Sequence, residues 1–251
     1  MLPTLTLTTP LAIVPGIYTV TAQFSEDVVN FVVGDVTITN GTAGNFVAVD
    51  ANTYTFDVTP SANGIVLVDV AVNTAQDAVG NGNTAATQLS TTYDGILPTL
   101  SLTTGSANVN GVYTVTAEFS KNVTGFVIGD IVVVNGTKSN FVAVDGDTYT
   151  FDVTPTVDGN VTVDAAANIA QDAATNGNTA ATQLVTAYDG TIPTVTLSTP
   201  ATNANVPFTV TVQFSEDVTG FVVGDIVSTN ATLSNFTAVD ADTYTFDVTS
   251  I

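Results

Sequence analysis

The sequence predicts an all-β protein built from tandem two-layer β-sandwiches. Three observations predict this fold class: a composition rich in Thr and Val, apolar and polar residues that alternate with period two, and one long segment that recurs along the chain. β-Branched residues favour strands, and alternation gives each strand one apolar and one solvated face. Apolar residues make up 45% of the chain, which excludes a disordered acidic segment despite its 23 acids.

The recurring segment is 95 residues long and aligns without gaps. Its markers are Pro3, Pro98 and Pro193, then Phe24, Phe119 and Phe214, then Tyr54, Tyr149 and Tyr244. The spacing divides the chain into repeat 1 (1–95), repeat 2 (96–190) and repeat 3 (191–251). A complete unit of this size can bury a core of its own. Repeat 3 has no counterpart of residues 62–95, so we expect an incomplete third domain without its last two strands, in a segment of a longer chain.

Each repeat is predicted to contain seven or eight strands. In residues 18–24, Tyr18, Val20 and Phe24 share one face, as alternation requires, and turn residues such as Gly34 and Asp35 separate the strands. The strands predicted for repeat 1 cover residues 4–9, 18–24, 29–33, 36–40, 46–49, 53–59, 65–72 and 84–93. Strands at this spacing, each with one solvated face, favour two packed sheets.

Charge and composition exclude several classes of function. The chain has two lysines, no histidine and no cysteine, and its formal net charge is −21. Catalysis by Ser-His-Asp or Cys-His groups is excluded because the base and the thiol are missing, and we predict that the protein is not an enzyme. A surface this acidic predicts no nucleic-acid binding. Apolar runs are far shorter than the ~20 residues of a membrane-spanning helix, so we expect no membrane insertion.

Several motifs together resemble a known family. The run from Phe24 to Val28 (Phe-Ser-Glu-Asp-Val) returns at Phe214, and Tyr54 opens a Tyr-Thr-Phe-Asp-Val-Thr run that occurs three times. These motifs, with Gly-Asp, Asn-Gly-Thr and Gln-Asp-Ala elements between them, resemble the bacterial immunoglobulin-like (Big) repeats of large surface adhesins and biofilm-associated proteins. The resemblance implies immunoglobulin-like sandwiches arranged end to end as an elongated rod, an extracellular location on the bacterial cell surface, and calcium at the domain junctions.

Acidic and amide side chains at one pole of each sandwich are the candidate calcium ligands. The predicted set is Asp94, Asn122, Asp172 and Asn176 for the first junction, Asp189, Glu216 and Asp217 for the second, and Glu26, Asp27 and Asp77 for the pole of repeat 1. Calcium prefers six to eight oxygen ligands of this kind. The alternative is that Asp and Asn occupy turns, where they bond the local backbone. Repeat 2 also departs from the pattern, because Lys121 and Asn122 replace the Glu-Asp pair.

Two functions remain open from the sequence. The first is a non-catalytic spacer or stalk segment of a secreted adhesin or fibre, whose partners are the neighbouring domains of the same chain and neighbouring copies in a fibre. The second is a calcium-dependent module that binds a glycan or a protein through its pole loops. The loops 10–16 and 73–83 contain no aromatic residue, which favours the spacer because aromatic side chains dominate recognition surfaces.

Overall fold

The computed structural model describes residues 1–201 and 206–251. The chain forms two compact units, Met1–Asp189 and Gly190–Ile251, and each is described by itself. The first unit contains repeats 1 and 2 as two sandwiches, each made of two four-stranded sheets. All three repeats are built from β-strands, and the predicted all-β fold class is confirmed.

Repeat 1 contains eight strands. They are β1 (Leu5–Thr8), β2 (Ile13–Val14), β3 (Tyr18–Phe24), β4 (Val36–Thr39), β5 (Gly41–Ala48), β6 (Thr53–Pro60), β7 (Gly64–Val70) and β8 (Leu89–Tyr93). One sheet has the order β1-β3-β6-β5 and the other β2-β8-β7-β4. The apolar residues that alternate with polar ones in the sequence are the residues that are buried. In β3, every second side chain from Tyr18 to Phe24 is buried.

The core of repeat 1 lies between these two sheets. Val20 of β3 and Phe56 of β6 face Val66 and Val68 of β7, and all four side chains are fully buried. Since two layers of β-branched and aromatic side chains meet there, the apolar face of each sheet is removed from water by the other.

Repeat 2 has the same architecture and a separate core. Its strands are β9 (Leu100–Thr104), β10 (Asn108–Val109), β11 (Tyr113–Phe119), β12 (Ile131–Val134), β13 (Gly136–Ala143), β14 (Thr148–Pro155), β15 (Gly159–Ala165) and β16 (Leu184–Tyr188). The sheet orders are β9-β11-β14-β13 and β10-β16-β15-β12. Its buried residues form a cluster distinct from that of repeat 1. Each of the two repeats therefore has its own hydrophobic core.

An aromatic cluster closes one end of each core. In repeat 1, Phe24, Phe31 and Tyr54 pack edge to face, with ring centroids 5.1–5.9 Å apart, a geometry that aligns positive ring edges with negative faces. The hydroxyl of Tyr54 donates a hydrogen bond to the carbonyl of Val28 (3.2 Å). This bond fixes the segment after β3, which carries the Glu26 and Asp27 side chains, at the pole of the sandwich.

The short second strand of each complete repeat forms a parallel pair with the last strand of that repeat. In repeat 1, β2 pairs with β8, with Ile13 opposite Thr92 and Val14 opposite Tyr93. In repeat 2, β10 pairs with β16 in the same way. Residues near the two ends of a repeat are thereby hydrogen-bonded to each other within one sheet.

The second unit contains one four-stranded sheet. Its strands are β17 (Val195–Ser198), β18 (Phe208–Phe214), β19 (Ala231–Ala238) and β20 (Thr243–Ser250), in the order β17-β18-β20-β19. Among the described residues of this unit, no second sheet covers the apolar face, and an open cavity of about 300 Å³ lies there against Phe208, Phe246 and Val248. The same sheet in repeats 1 and 2 is covered by the second layer.

Three strand predictions differ from the structure, and one observed strand was not predicted. The strand predicted at 46–49 overlaps only the end of β5, which already begins at Gly41. The strand predicted at 29–33 is wrong: residues 29–32 are irregular apart from a single bridge at Val29, and they lead into a short 3₁₀ turn, Val33–Asp35. The Asp35 carboxylate accepts a hydrogen bond from the amide of Val32 (2.8 Å). The turn predicted at Gly34 and Asp35 is this 3₁₀ turn. The strand predicted at 84–93 begins only at Leu89. The two-residue strand β2 is not predicted by alternation, because two residues carry no period.

Candidate functional site

The linker between β8 and β9, residues 94–99, is hydrogen-bonded to repeat 1. The amide of Asp94 donates to the carbonyl of Val14 in β2 (3.0 Å), and the amide of Gly95 donates to Asn63 Oδ1 (2.8 Å). The Tyr93 ring lies over Gly95, where an added Cβ would come within 2.8 Å of the Tyr93 Cζ. A residue with a side chain would displace that ring, so the glycine allows the linker to turn tightly against repeat 1.

The pole of repeat 2 presents a preorganised carboxylate to this linker. Oδ1 of Asp172 accepts the amides of Ala174 and Asn176 (2.9 Å each), and Oδ2 accepts the Asn176 side chain (3.1 Å). The loop is anchored by Asn178, which is 1% exposed. Its Oδ1 accepts the amides of Ile169 and Ala170, and its Nδ2 donates to the carbonyls of Ala166 and Thr179.

Lys121 joins the linker to this pole. Its ammonium lies 2.8 Å from both carboxylate oxygens of Asp94 and 3.0 Å from Oδ2 of Asp172, and it also donates to the carbonyl of Ile96. The side chain of Asn176 adds a hydrogen bond to the carbonyl of Asp94 (2.7 Å). Groups from the linker and from repeat 2 therefore converge on one cation that belongs to the chain.

The Asp172 and Lys121 side chains are largely enclosed at this junction. The Asp172 side chain is 4% exposed and that of Lys121 23% exposed. Burial alone would raise the pKa of Asp172, but the hydrogen bonds from Lys121 and Asn176 outweigh it and lower the pKa below its ordinary value. Burial alone would lower the pKa of Lys121, but its bonds to Asp94 and Asp172 raise it. Both groups are therefore charged across the neutral range.

The predicted calcium ligands of the first junction do not fit calcium as they stand. The structure brings Asp94, Asp172 and Asn176 together, but the carboxylates of Asp94 and Asp172 are directed at the Lys121 ammonium, and Asn176 donates to the Asp94 carbonyl. A divalent ion among these oxygens would be repelled by that ammonium, and calcium needs six to eight oxygen ligands. Asn122 is not part of the cluster, since its side chain packs against Gly146, where an added Cβ would lie 2.7 Å from the Asn122 Cγ.

The candidate ligands at the pole of repeat 1 lie in neighbouring segments. Val29 and Gln76 exchange backbone hydrogen bonds (2.8 and 3.2 Å), which places the segment of Glu26 and Asp27 beside the loop of Asp77. Asp77 is 7% exposed and accepts a hydrogen bond from the side chain of Asn81 (2.7 Å). The Asp77 carboxylate therefore stabilises its own loop. Hydrogen bonds from Asn81 and from the amide of Val79, in that order, outweigh burial and hold the pKa of Asp77 below its ordinary value.

The remaining candidates belong to different units. The amide of Asp189 in the first unit donates to the carbonyl of Val109 in β10 (3.0 Å), the counterpart of the Asp94 contact with β2. Glu216, which is half-buried, and Asp217, which is exposed, follow β18 in the second unit. Over the described part of the chain, no three acidic side chains come close enough together to hold a metal ion.

Lys121 is the residue of this site whose role the sequence did not predict. The gapless alignment places it opposite Glu26 and Glu216, so the signal was a reversal of charge at one position of the repeat. What the alignment did not reveal is the direction of the side chain, which reaches back to the linker.

Comparison with known proteins decides the family. Three consecutive segments, residues 2–93, 94–188 and 189–250, match the bacterial Ig-like domain family. The chain belongs to the bacterial Ig-like domain family. The family expected from the Phe-Ser-Glu-Asp-Val and Tyr-Thr-Phe-Asp-Val motifs is thereby confirmed. Each repeat corresponds to one Ig-like domain, and the junction at Lys121 joins the first two.

Solved structures of similar fold include three bacterial proteins. The Escherichia coli adhesin FdeC is 17% identical, with a TM-score of 0.45 and coverage of 99% of this chain and 88% of the other. Invasin, a bacterial integrin-binding protein, is 13% identical, with a TM-score of 0.37 and coverage of 100% and 55%. InvD of Yersinia pseudotuberculosis is 18% identical, with a TM-score of 0.36 and coverage of 84% and 68%. A search of curated proteins gives no match.

Among the described residues, helix is limited to short 3₁₀ turns. Across residues 1–201 and 206–251, no helix is long and apolar enough to cross a membrane.

Proposed function

We propose that this chain is a spacer segment of a bacterial cell-surface adhesin or fibre, with no catalytic role. Its Ig-like domains separate other parts of a longer extracellular protein and transmit force along it. The observation that carries this proposal is the parallel pairing of a short strand near the start of each complete domain with the last strand of that domain, β2 with β8 and β10 with β16.

The direction of pull explains why this pairing suits a spacer. Tension on the two ends of a domain draws β2 towards the N-terminus and the parallel strand β8 towards the C-terminus. The hydrogen bonds between them, from Thr92 to Ala12 and from Asp94 to Val14 (2.8 and 3.0 Å), run across the line of force and are loaded together in shear. An antiparallel hairpin pulled at its open end would instead lose its bonds one at a time.

The linker continues this load path into the next domain. Asp94 is bonded through its amide to β2 of the first domain and through its carboxylate to Lys121 of the second. Tension leaving the strand pair of one domain therefore passes at once to the pole of its neighbour. This continuity supports a stiff connection rather than a loose tether, and it supports the elongated arrangement predicted from the sequence.

Calcium remains our proposal for poles that carry the Glu-Asp pair. Glu26 and Asp27 mark such a pole in the first domain, and Glu216 and Asp217 mark one in the third. Carboxylates are hard oxygen ligands of the kind that calcium prefers. The metal would there offset repulsion between acids. Neighbouring copies in a fibre remain proposed partners.

A glycan array tests the spacer against the adhesion module. The full chain is applied once in EGTA and once in calcium at about ten times the dissociation constant of a typical extracellular site, which is in the millimolar range. Circular dichroism checks that the protein is folded in both conditions. We expect no carbohydrate to be bound in either condition. Saturable binding of a glycan class that is lost in EGTA would replace the spacer with a calcium-dependent binding module.

A further inference from the structure

The junction between the first two domains contains its own positive charge. We propose that the Lys121 ammonium is the resident cation of this junction, so that the linker and the second domain close on each other without a divalent metal ion. The inference concerns how the junction is held and stands whether or not the chain is a spacer.

The geometry of the cluster is that of a cation site filled by a side chain. Both oxygens of Asp94, one oxygen of Asp172 and the carbonyl of Ile96 surround a single ammonium. An ammonium has three protons to donate, and these four oxygens come from the linker and from the second domain. The Asp172 side chain is 4% exposed, so its charge needs a partner at this place.

Charge counting shows what the lysine changes. The two carboxylates that share the ammonium lie within about 6 Å of each other, close enough to repel strongly when unpaired. With Lys121 between Asp94 and Asp172, the three side chains carry a net charge of −1. The Glu-Asp pair found at the same position in the other two domains would make the cluster strongly negative, and such a cluster closes only with an added cation.

The rest of the junction is arranged around this closed state. Asn176 bonds both Asp172 and the Asp94 carbonyl, so it orients the carboxylate and the linker at once. Asn122, at the position of Asp27 and Asp217, carries no charge. Asn122 lies outside the cluster but adds no negative charge beside it, so the lysine alone neutralises the carboxylates and removes the need for a metal ion.

Distances between two spin labels across the junction test this inference on the full chain. The chain has no cysteine, so Val47→Cys and Val142→Cys place one label on each domain, at equivalent strand positions that are 52% and 53% exposed. Pulsed electron paramagnetic resonance then gives the width of the distance distribution, in EGTA and in calcium. The labelled background is compared with Lys121→Gln and with the pair Lys121→Glu and Asn122→Asp. Lys138→Gln is the matched control, because Lys138 donates to Ile131 within the second domain.

The expected results separate the lysine from a metal ion. The background distribution is narrow and the same in EGTA and calcium, Lys138→Gln leaves it unchanged, and Lys121→Gln broadens it at least twofold. The Glu-Asp pair gives a broad distribution in EGTA that narrows in calcium, because a cation can then occupy the place of the ammonium. A background width that changes with calcium, or no broadening in Lys121→Gln, would overturn the inference. Failure of calcium to narrow the distribution of the Glu-Asp pair would also overturn it.

Discussion

The substitution Asn178→Ala tests how the pole of the second domain is held in place. Asn178 is 1% exposed, and its side chain satisfies two backbone amides and two backbone carbonyls at 2.8–3.0 Å. Each buried polar group left without a partner costs about 1–3 kcal/mol. A water molecule that occupies the place of the amide would restore part of this bonding. We therefore expect a loss of about 3–5 kcal/mol, a large fraction of the stability of one domain.

Hydrogen exchange followed by mass spectrometry measures this loss domain by domain. Amides of the central strand β14 should exchange about 140-fold to 3,700-fold faster in Asn178→Ala, since each 1.4 kcal/mol is a factor of ten. Peptides from the first domain should be unchanged. Asn83 makes the corresponding contacts in the first domain and is fully buried, so Asn83→Ala should give the reciprocal pattern.

Two results would refute the reasoning about the buried asparagines. One is a change below tenfold in the domain that carries the substitution. The other is an equal change in both domains, which would mean that they do not have separate cores. Asn160→Ala, at an exposed position of β15, is the control and should change stability by no more than about 0.5 kcal/mol.

Two further predictions follow from the cores and the carboxylates. Phe56→Ala, in the core between two sheets, should lower the free energy of unfolding of its domain by about 3–5 kcal/mol. Phe246→Ala, on the single sheet of the third domain, should lower it clearly less. Hydrogen exchange of β6 and β20 compares the two losses, and equal losses would contradict the difference in packing. Hydrogen bonds from Asn45, and to a lesser extent from Thr19, lower the pKa of Asp57 in the folded state. The ionised carboxylate therefore stabilises the fold at pH values above its unfolded pKa of about 4, and this contribution is lost as pH falls through the lower folded pKa. Thermal melting from pH 7 to pH 2 should therefore show the midpoint falling only below about pH 4, and a fall between pH 7 and pH 5 would argue against this cause.

The elements that the sequence predicted well are those with a long, strict alternation. The strand predicted at residues 18–24 is β3 as observed, because seven residues with one apolar face fit only an extended strand against a core. The segment 29–33 is also rich in Val and Phe, but Asp35 caps the amide of Val32 and favours a 3₁₀ turn over a strand. A local hydrogen bond decided that conformation, and hydrophobic periodicity does not report such bonds.

Long-range pairing was the part of the fold that the sequence did not reveal. The strand β2 is two residues long and is defined only by its parallel partner β8, which lies about 80 residues later in the chain. The same limit applies to the site. The repeat placed Asp94 beside Asp172 and Asn176, but only the structure shows that the Lys121 side chain reaches both carboxylates.

Single-molecule force spectroscopy on the full chain, pulled from its two ends, tests the spacer function most directly. Each complete domain should unfold separately and resist force through its parallel strand pair, giving two equal extension steps of up to about 340 Å of released chain for 95 residues. One step of about twice that length would show that the two domains unfold as one body. Extension without any force peak would show that they bear no load, and it would contradict the proposed function.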